Sequence, residues 1–326
     1  MDRRLPLAGL LCCAGLAACA PAMPGPEFAT PTIAEAPATD CGLARVASVG
    51  LAPARGVWTV PVEINGSRLR LILDTGAERT LLTEDAVARI GMLRDPRRQT
   101  RTFGIGGLST AADAQVSSFA IGGAYLPVPS VTVGEFALPT GTGAPLDGLL
   151  GADVLSAFDI DLDIRDARLT LYRARDCPDA GPPWQEPYLS LGAIGRARDR
   201  LLVPIMLDAA AGTATLDTGA QHTVVSERLA ERAGATPADM AHDAQITAHG
   251  ASAEALAVRL HRFRLLRIGP SSIADPVLPV LPMPEGLGDG LVGDDFLAGR
   301  RIWLSYASLR VFITPSGAPS AVALRR

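Results

Sequence analysis

The chain has 326 residues, enough for two domains that each bury a core. Its 30 basic residues, all Arg, nearly balance 34 acidic ones, and no basic patch of the kind that marks nucleic-acid binders occurs, so no nucleic-acid partner is expected. Abundant Gly and Pro, few aromatic residues and short alternating apolar runs point to a β-rich protein with many turns.

Arg3 and Arg4 give the chain a positive start, and Leu5 to Leu16 is mostly apolar but too short for a membrane span. Residues 1–18 therefore read as a signal peptide. Leu16-Ala17-Ala18-Cys19 resembles a bacterial lipobox, in which the chain is cut before the Cys and lipid is joined to its thiol. That resemblance implies an exported lipoprotein held to a membrane through Cys19. The absence of an acid directly after Cys19 implies sorting to the periplasm-facing outer membrane. Residues 19–50 are expected to be a flexible tether, because Ala20 to Asp40 is rich in Ala, Pro and Thr and lacks periodicity. Cys12 and Cys13 leave with the signal peptide. Cys41 and Cys177 flank the segment that follows, and an exported compartment permits a disulfide between them; two unpaired thiols are the other reading.

Residues 51–176 and 198–316 read as two copies of one unit, joined by a linker over 177–197 and followed by a tail over 317–326. Sliding the chain on itself by 143 residues lays Leu73–Gly91 over Leu216–Gly234, with nine of nineteen positions identical. In the first copy, Val60, Val62 and Ile64 alternate, Asn65-Gly66 signals a type I′ turn, and Leu69, Leu71 and Leu73 alternate back. Asp74-Thr75-Gly76 ends that return strand. Thr80 to Ile90 has helical spacing with Gly91 as its stop. Phe103 to Gly107 is the tip of a glycine-rich hairpin. Val116 to Val133 alternates and turns at Gly122-Gly123. Asp147 to Leu155 reads as an apolar strand and a short helix. Leu162, Ile164, Leu169 and Leu171 are expected to close the lobe as a hairpin. The second copy repeats this order around Asp217-Thr218-Gly219.

A single Asp-Thr-Gly is a good turn sequence and no more. Two copies at matched places, each with its own apolar-apolar-Gly motif (Leu149-Leu150-Gly151 and Leu291-Val292-Gly293), point to two carboxylates brought together on an internal two-fold. Two adjacent carboxyl groups do not readily both ionise, so one can act as acid and the other as base. Asp147 and Asp289 read as turn or cap residues, and Asp153 and Asp295 as caps of short helices. Asp159, Asp161 and Asp163 share one face of a strand, read as a solvated face. His222 aligns with Arg79 and is expected near the helix start. His242, His249 and His261 lack zinc spacing, so no metal and no cofactor is expected.

With these motifs the chain resembles the retropepsin-like aspartic proteases in their bacterial form, over about residues 55–175 and 198–315. The continuation Gly293-Asp294-Asp295-Phe296-Leu297 matches the bacterial pattern well, and Gly151-Ala152-Asp153-Val154-Leu155 less well. The resemblance implies a mostly β fold: two acid-protease β-barrel lobes related by a pseudo-two-fold, each with one or two short helices. It implies an aspartic endopeptidase in which Asp74 and Asp217 activate a water against a peptide or protein substrate. Thr75 and Thr218 would tie the two loops, Gly76 and Gly219 would let the backbone turn and approach the carboxylates, and Gly151 and Gly293 would support the loops. Ile105, Gly106 and Gly107 in one lobe, and Ala248, His249 and Gly250 in the other, would lie in the substrate-covering hairpins. One chain carries both lobes, so a monomeric pseudo-dimer is expected; lobes that each pair with a second molecule are the third reading. The rival reading is a non-catalytic envelope lipoprotein that keeps the protease fold and grips an extended peptide.

Overall fold

Both copies of the repeat start from the same hairpin. In the first, the strands Val57–Ile64 and Ser67–Leu73 pair antiparallel and turn at Asn65 and Gly66, whose φ angles of 52° and 77° are those a type I′ turn needs. Their alternate residues Val60, Val62, Ile64, Leu69, Leu71 and Leu73 are buried. In the second, Arg200–Leu207 pairs with Ala210–Leu216 in the same way. The computed structural model describes residues 42–104, 107–134, 138–139, 144–175, 181–193, 195–197, 199–249, 255–284 and 286–315.

One later strand then enters beside each hairpin. Gly148–Leu150 runs parallel to Leu71–Leu73 and antiparallel to Leu81–Leu82. Gly290–Val292 does the same between Ala214–Leu216 and Val224–Val225. Each lobe is a ten-stranded sheet among the described residues, and the order of strands is the same in both. Each lobe carries two short α-helices, Glu84–Arg89 and Ala152–Leu155 in the first, Glu227–Arg232 and Asp294–Leu297 in the second. The mostly β, two-lobed fold expected from the repeat is thus the observed one. Among the described residues no helix is long and apolar enough to cross a membrane.

Several boundaries differ from the sequence reading. The first helix starts at Glu84 rather than Thr80. Leu81 and Leu82 are drawn into the sheet by Gly148 and Leu149, and Thr83 caps the helix by accepting from Ala86 N at 3.1 Å. Gly91, with φ of 65°, ends it as expected. Gly42–Gly50, expected as the end of a tether, is a strand paired along its length with Arg168–Arg175. It lies at a sheet edge and places only Ala47 in the core, so its apolar signal is weak. The linker also carries structure: Leu189–Ser190 pairs with Phe312–Ile313, Gly195–Ala197 pairs with Arg200–Leu202, and Trp184, Tyr188 and Leu191 are buried.

The closing hairpins do not end their lobes separately. Asp159–Asp163 pairs antiparallel with Arg301–Ser305, so both hairpins merge into one six-stranded sheet shared by the two lobes. Ile160 and Leu162 face the main core on one side of this sheet. Asp159, Asp161 and Asp163 on the other side are buried too, against the expectation of a solvated face. They are covered from the second lobe and the linker. Arg301 donates through Nε and Nη2 to the two carboxylate oxygens of Asp161 at 2.8 and 2.7 Å, and its Nη1 reaches Glu186 at 3.2 Å. Arg165 bridges Asp163 and Glu186. Trp184 packs edge-on against Trp303, and the Arg301 guanidinium lies 4.9 Å from the Trp184 ring centre.

Asp161→Asn should leave Arg301 without its bidentate acceptor at the seam. We expect a loss of about 2 kcal/mol in unfolding free energy, below the range for a fully buried pair because Arg301 stays partly exposed. Urea denaturation of parent and variant measures it.

Candidate active site

Asp74 and Asp217 stand at the ends of the two return strands, where each chain must leave its sheet. Backbone bonds fix the exit: Asp74 N donates to Leu150 O at 3.1 Å and Asp217 N to Val292 O at 3.0 Å. The two loops then meet across the lobe boundary. Thr75 N donates to Thr218 Oγ1 and Thr218 N to Thr75 Oγ1, both at 3.1 Å. Each hydroxyl in turn donates to a carbonyl of the opposite strand, Thr75 to Leu216 and Thr218 to Leu73, both at 2.7 Å. Both threonines are buried.

This clasp sets the carboxyls side by side, Asp217 against Gly76 and Asp74 against Gly219. Asp74 Oδ1 accepts from Gly76 N at 3.0 Å and Ala77 N at 2.8 Å. Asp217 Oδ1 accepts from Gly219 N at 2.9 Å and Ala220 N at 3.1 Å. The glycines are required by space rather than by a sharp turn. Neither has a positive φ, but a side chain on Gly76 would run into the Asp217 carboxyl, and one on Gly219 into Asp74. Burial, then the facing Asp217 charge, hold the Asp74 carboxyl well above the usual carboxylate range. Burial raises Asp217 as well, while the Gly219 and Ala220 N–H groups pull it back.

Behind each loop lies a second tie. Gly151 N donates to Thr80 Oγ1 and Gly293 N to Thr223 Oγ1, each at 3.1 Å. A side chain at Gly151 would strike the backbone of Arg79, and one at Gly293 the backbone of His222, so the two motifs pass in backbone contact. Asp153 and Asp295 are not the N-caps of their helices, a place held by Gly151 and Gly293 without side-chain bonds, although Asp153 accepts from Val154 N of its own helix at 2.9 Å. Asp153 instead accepts from Thr80 N at 2.9 Å and Thr80 Oγ1 at 2.7 Å, and Asp295 from Thr223 N at 2.9 Å and Thr223 Oγ1 at 2.6 Å. Asp147 and Asp289 likewise tie strands: they accept from Arg70 N and Thr213 N and pair with Arg89 and Arg232 from the helix ends. Thr80, Thr223, Asp153 and Asp295 recur at matched places in the repeat, a signal that marks them as a set. His222 lies in the loop before the strand Val224–Ser226 rather than at a helix start.

The hairpins expected to cover substrate are Arg94–Gly104 with Gly107–Gln115, and Ala244–His249 with Ala255–Arg262. Gly107 pairs with Gly104, Ala248 with Leu256 and His249 with Ala255. Ala248 packs on the apolar cluster of Val258, Leu281 and Met283. Ile105, Gly106 and Gly250 lie outside the described residues, as do Cys19, Cys41 and Cys177. Among the described residues no group of His, Cys, Asp or Glu is arranged to hold a metal.

A family model described as "Aspartyl protease" matches residues 60–154 and again 203–296, together more than half of the chain. The chain belongs to the aspartyl protease family. It is similar to the UBA domain-containing protein Mud1 of Schizosaccharomyces pombe, 31% identical over 115 residues, which is 35% of this chain and 32% of that protein. It is also similar to DNA damage-inducible protein 1 of Neurospora crassa, 30% identical over 105 residues, 32% of this chain and 22% of that one. The match thus spans a third or less of either relative's length. Among solved structures it is similar to the aspartic proteinase from Irpex lacteus, with TM-score 0.48 and 14% identity over 84% of this chain and 98% of that one. Basic 7S globulin from soybean gives TM-score 0.46 and 10% identity, with 84% and 95% covered.

Thr75→Ala removes a hydroxyl that serves the Thr218 N–H and the Leu216 carbonyl. We expect unfolding free energy to fall by about 2 kcal/mol, with Thr75→Ser close to the parent, in urea titrations. The carboxyl pair gives the opposite sign. Both groups bind protons more tightly folded than unfolded, so folding is penalised as pH rises above the unfolded value of about 3.9 and through the folded one. Asp74→Asn should match the parent below about pH 4 and exceed its stability by about 1 kcal/mol or more at pH 7.

Proposed function

We propose that this chain is an aspartic endopeptidase in which Asp74 and Asp217 share a proton and activate one water between them. The observation that carries the reading is the facing carboxyl pair, each resting on the other loop's glycine and clasped between two lobes by Thr75 and Thr218, with proton affinities raised chiefly by burial. Such a pair offers an acid and a base at once at moderate pH, which peptide hydrolysis without a metal needs. It titrates as a unit. The substrate is an extended peptide lying between the dyad and the two hairpins. One chain brings both loops, so a monomer would be complete.

The reading extends to the N-terminal segment: cleavage before Cys19, lipid on its thiol, and a catalytic domain held at the periplasmic face of the outer membrane of a bacterium. Its support is the sequence pattern of residues 1–19. Labelling by radioactive palmitate that is lost in Cys19→Ser tests that part.

Incubation with a mixed peptide library, with and without a statine-type inhibitor, tests the reaction. Inhibitor-sensitive products are expected, and either Asp74→Asn or Asp217→Asn should reduce them by more than about a thousandfold. Retention of uncut peptide by the parent protein would favour the binding-module reading instead. Sedimentation of the same protein at the mass of one chain is expected.

A further inference from the structure

One charged group near the dyad belongs to a single lobe. Arg200 opens the strand Arg200–Leu207 and is fully buried. Its Nε donates to Ala197 O at 3.2 Å, Nη2 to Gly286 O at 3.2 Å and Nη1 to Gly76 O at 3.4 Å. The last contact crosses the lobe boundary. Gly76 is the residue against which the Asp217 carboxyl rests, so the guanidinium stands behind Asp217 with one backbone unit between. The repeat offset of 143 lays Arg200 over Val57. Val57 is buried in an apolar cluster with Ile72, Leu146 and Leu149, so that strand sends no cation toward Asp74.

Among the described residues, the other charged groups beside the pair hold interactions of their own. Glu78 follows Ala77 on the first loop and, like Asp199 beside Arg200, is engaged in interactions of its own. Arg79 acts on Asp153. His222 on the second loop lies 4.0 Å from Asp295, away from the dyad, and Asp294 takes a hydrogen bond from Trp58. Asp74 and Asp217 face each other, and Arg200 is the cation whose charge reaches Asp217.

We propose that Arg200 is a positioning residue that breaks the symmetry of the carboxyl pair, so that Asp217 is the ionised member and Asp74 keeps the shared proton. The inference rests on the aspartic-protease reading of the site. It assigns roles in the first step of hydrolysis. The water oxygen bonds to the peptide carbonyl carbon, and the water's proton goes to Asp217. The carbonyl π pair moves to its oxygen, which takes the proton from Asp74. A cation near a carboxylate lowers its proton affinity, and between two otherwise like groups even a modest bias settles which ionises first.

Arg200→Gln removes the charge and keeps hydrogen-bond donors. The acidic limb of kcat/KM against pH is expected to move up by about one unit, and Arg200→Lys should return it to near the parent position. A limb that stays in place in a folded Arg200→Gln protein overturns the proposal; a merely structural role would lower the melting temperature and leave the limb where it was. Carbon-13 NMR of the parent protein, labelled at the Asp side-chain carboxyls and assigned through Asp74→Asn and Asp217→Asn, decides the question if that variant does not fold. Between the two titration steps Asp74 should show the acid shift and Asp217 the carboxylate shift, and the reverse overturns the proposal. This readout needs no turnover, so it stands apart from failure of the endopeptidase reading, which would appear as absent cleavage by the parent.

Discussion

Two threonine hydroxyls hold the centre of this molecule. Each accepts from the backbone of the opposite loop and donates to a carbonyl of the opposite strand, so four hydrogen bonds cross a buried boundary within a few residues. Like carboxyls repel, and nothing in the loops themselves would bring Asp74 to Asp217. The clasp imposes that closeness, because opening it would strand six polar groups, two amides, two hydroxyls and two carbonyls, away from water. Burial at the clasp raises both proton affinities, and for Asp74 the facing charge that the clasp brings near adds to it.

The clasp works only if each loop is stiff on its own side. Here the strand that carries each apolar-apolar-Gly motif matters more than its length suggests. It accepts the backbone N–H of the aspartate, its glycine donates to Thr80 or Thr223, and the acid two residues on takes both polar hydrogens of that same threonine. Each lobe therefore presents its loop as a rigid unit, and the two-fold between lobes lets both carboxyls reach the middle. Arg200 is the clear exception to that symmetry.

Much of this was legible in the chain because it was written twice. The hairpin ending in each aspartate follows from alternation and the Asn65-Gly66 turn, which are local signals. The meeting of the two loops followed from the matched motifs rather than from any single one. The roles of Asp153 and Asp295 were harder to read: an acid at the start of a short helix looks like a cap, and only the tertiary path of the loop shows that it serves a threonine more than seventy residues away. The acids of Asp159–Asp163 misled for the opposite reason. Their alternation is plain in the sequence, but Arg301, Glu186 and Trp184, which cover them with the neighbouring Arg165, arrive from remote segments. Gly42–Gly50 escaped because an edge strand is held by backbone bonds, to which side-chain periodicity is blind. Arg200 has no counterpart in the repeat, so duplication carries no sign of it.

The six-stranded sheet imposes an order on the birth of this protein. The partner of Asp161 is Arg301, 140 residues further along, so the earlier half leaves the ribosome with one flank of its last ladder still open. Closure across so long a span is slow compared with hairpin formation. Until then the strand Asp159–Asp163 is an uncapped edge, the kind that recruits whatever strand it meets first. A chain split between its halves would be left seeking a surrogate, and the nearest one is its own twin.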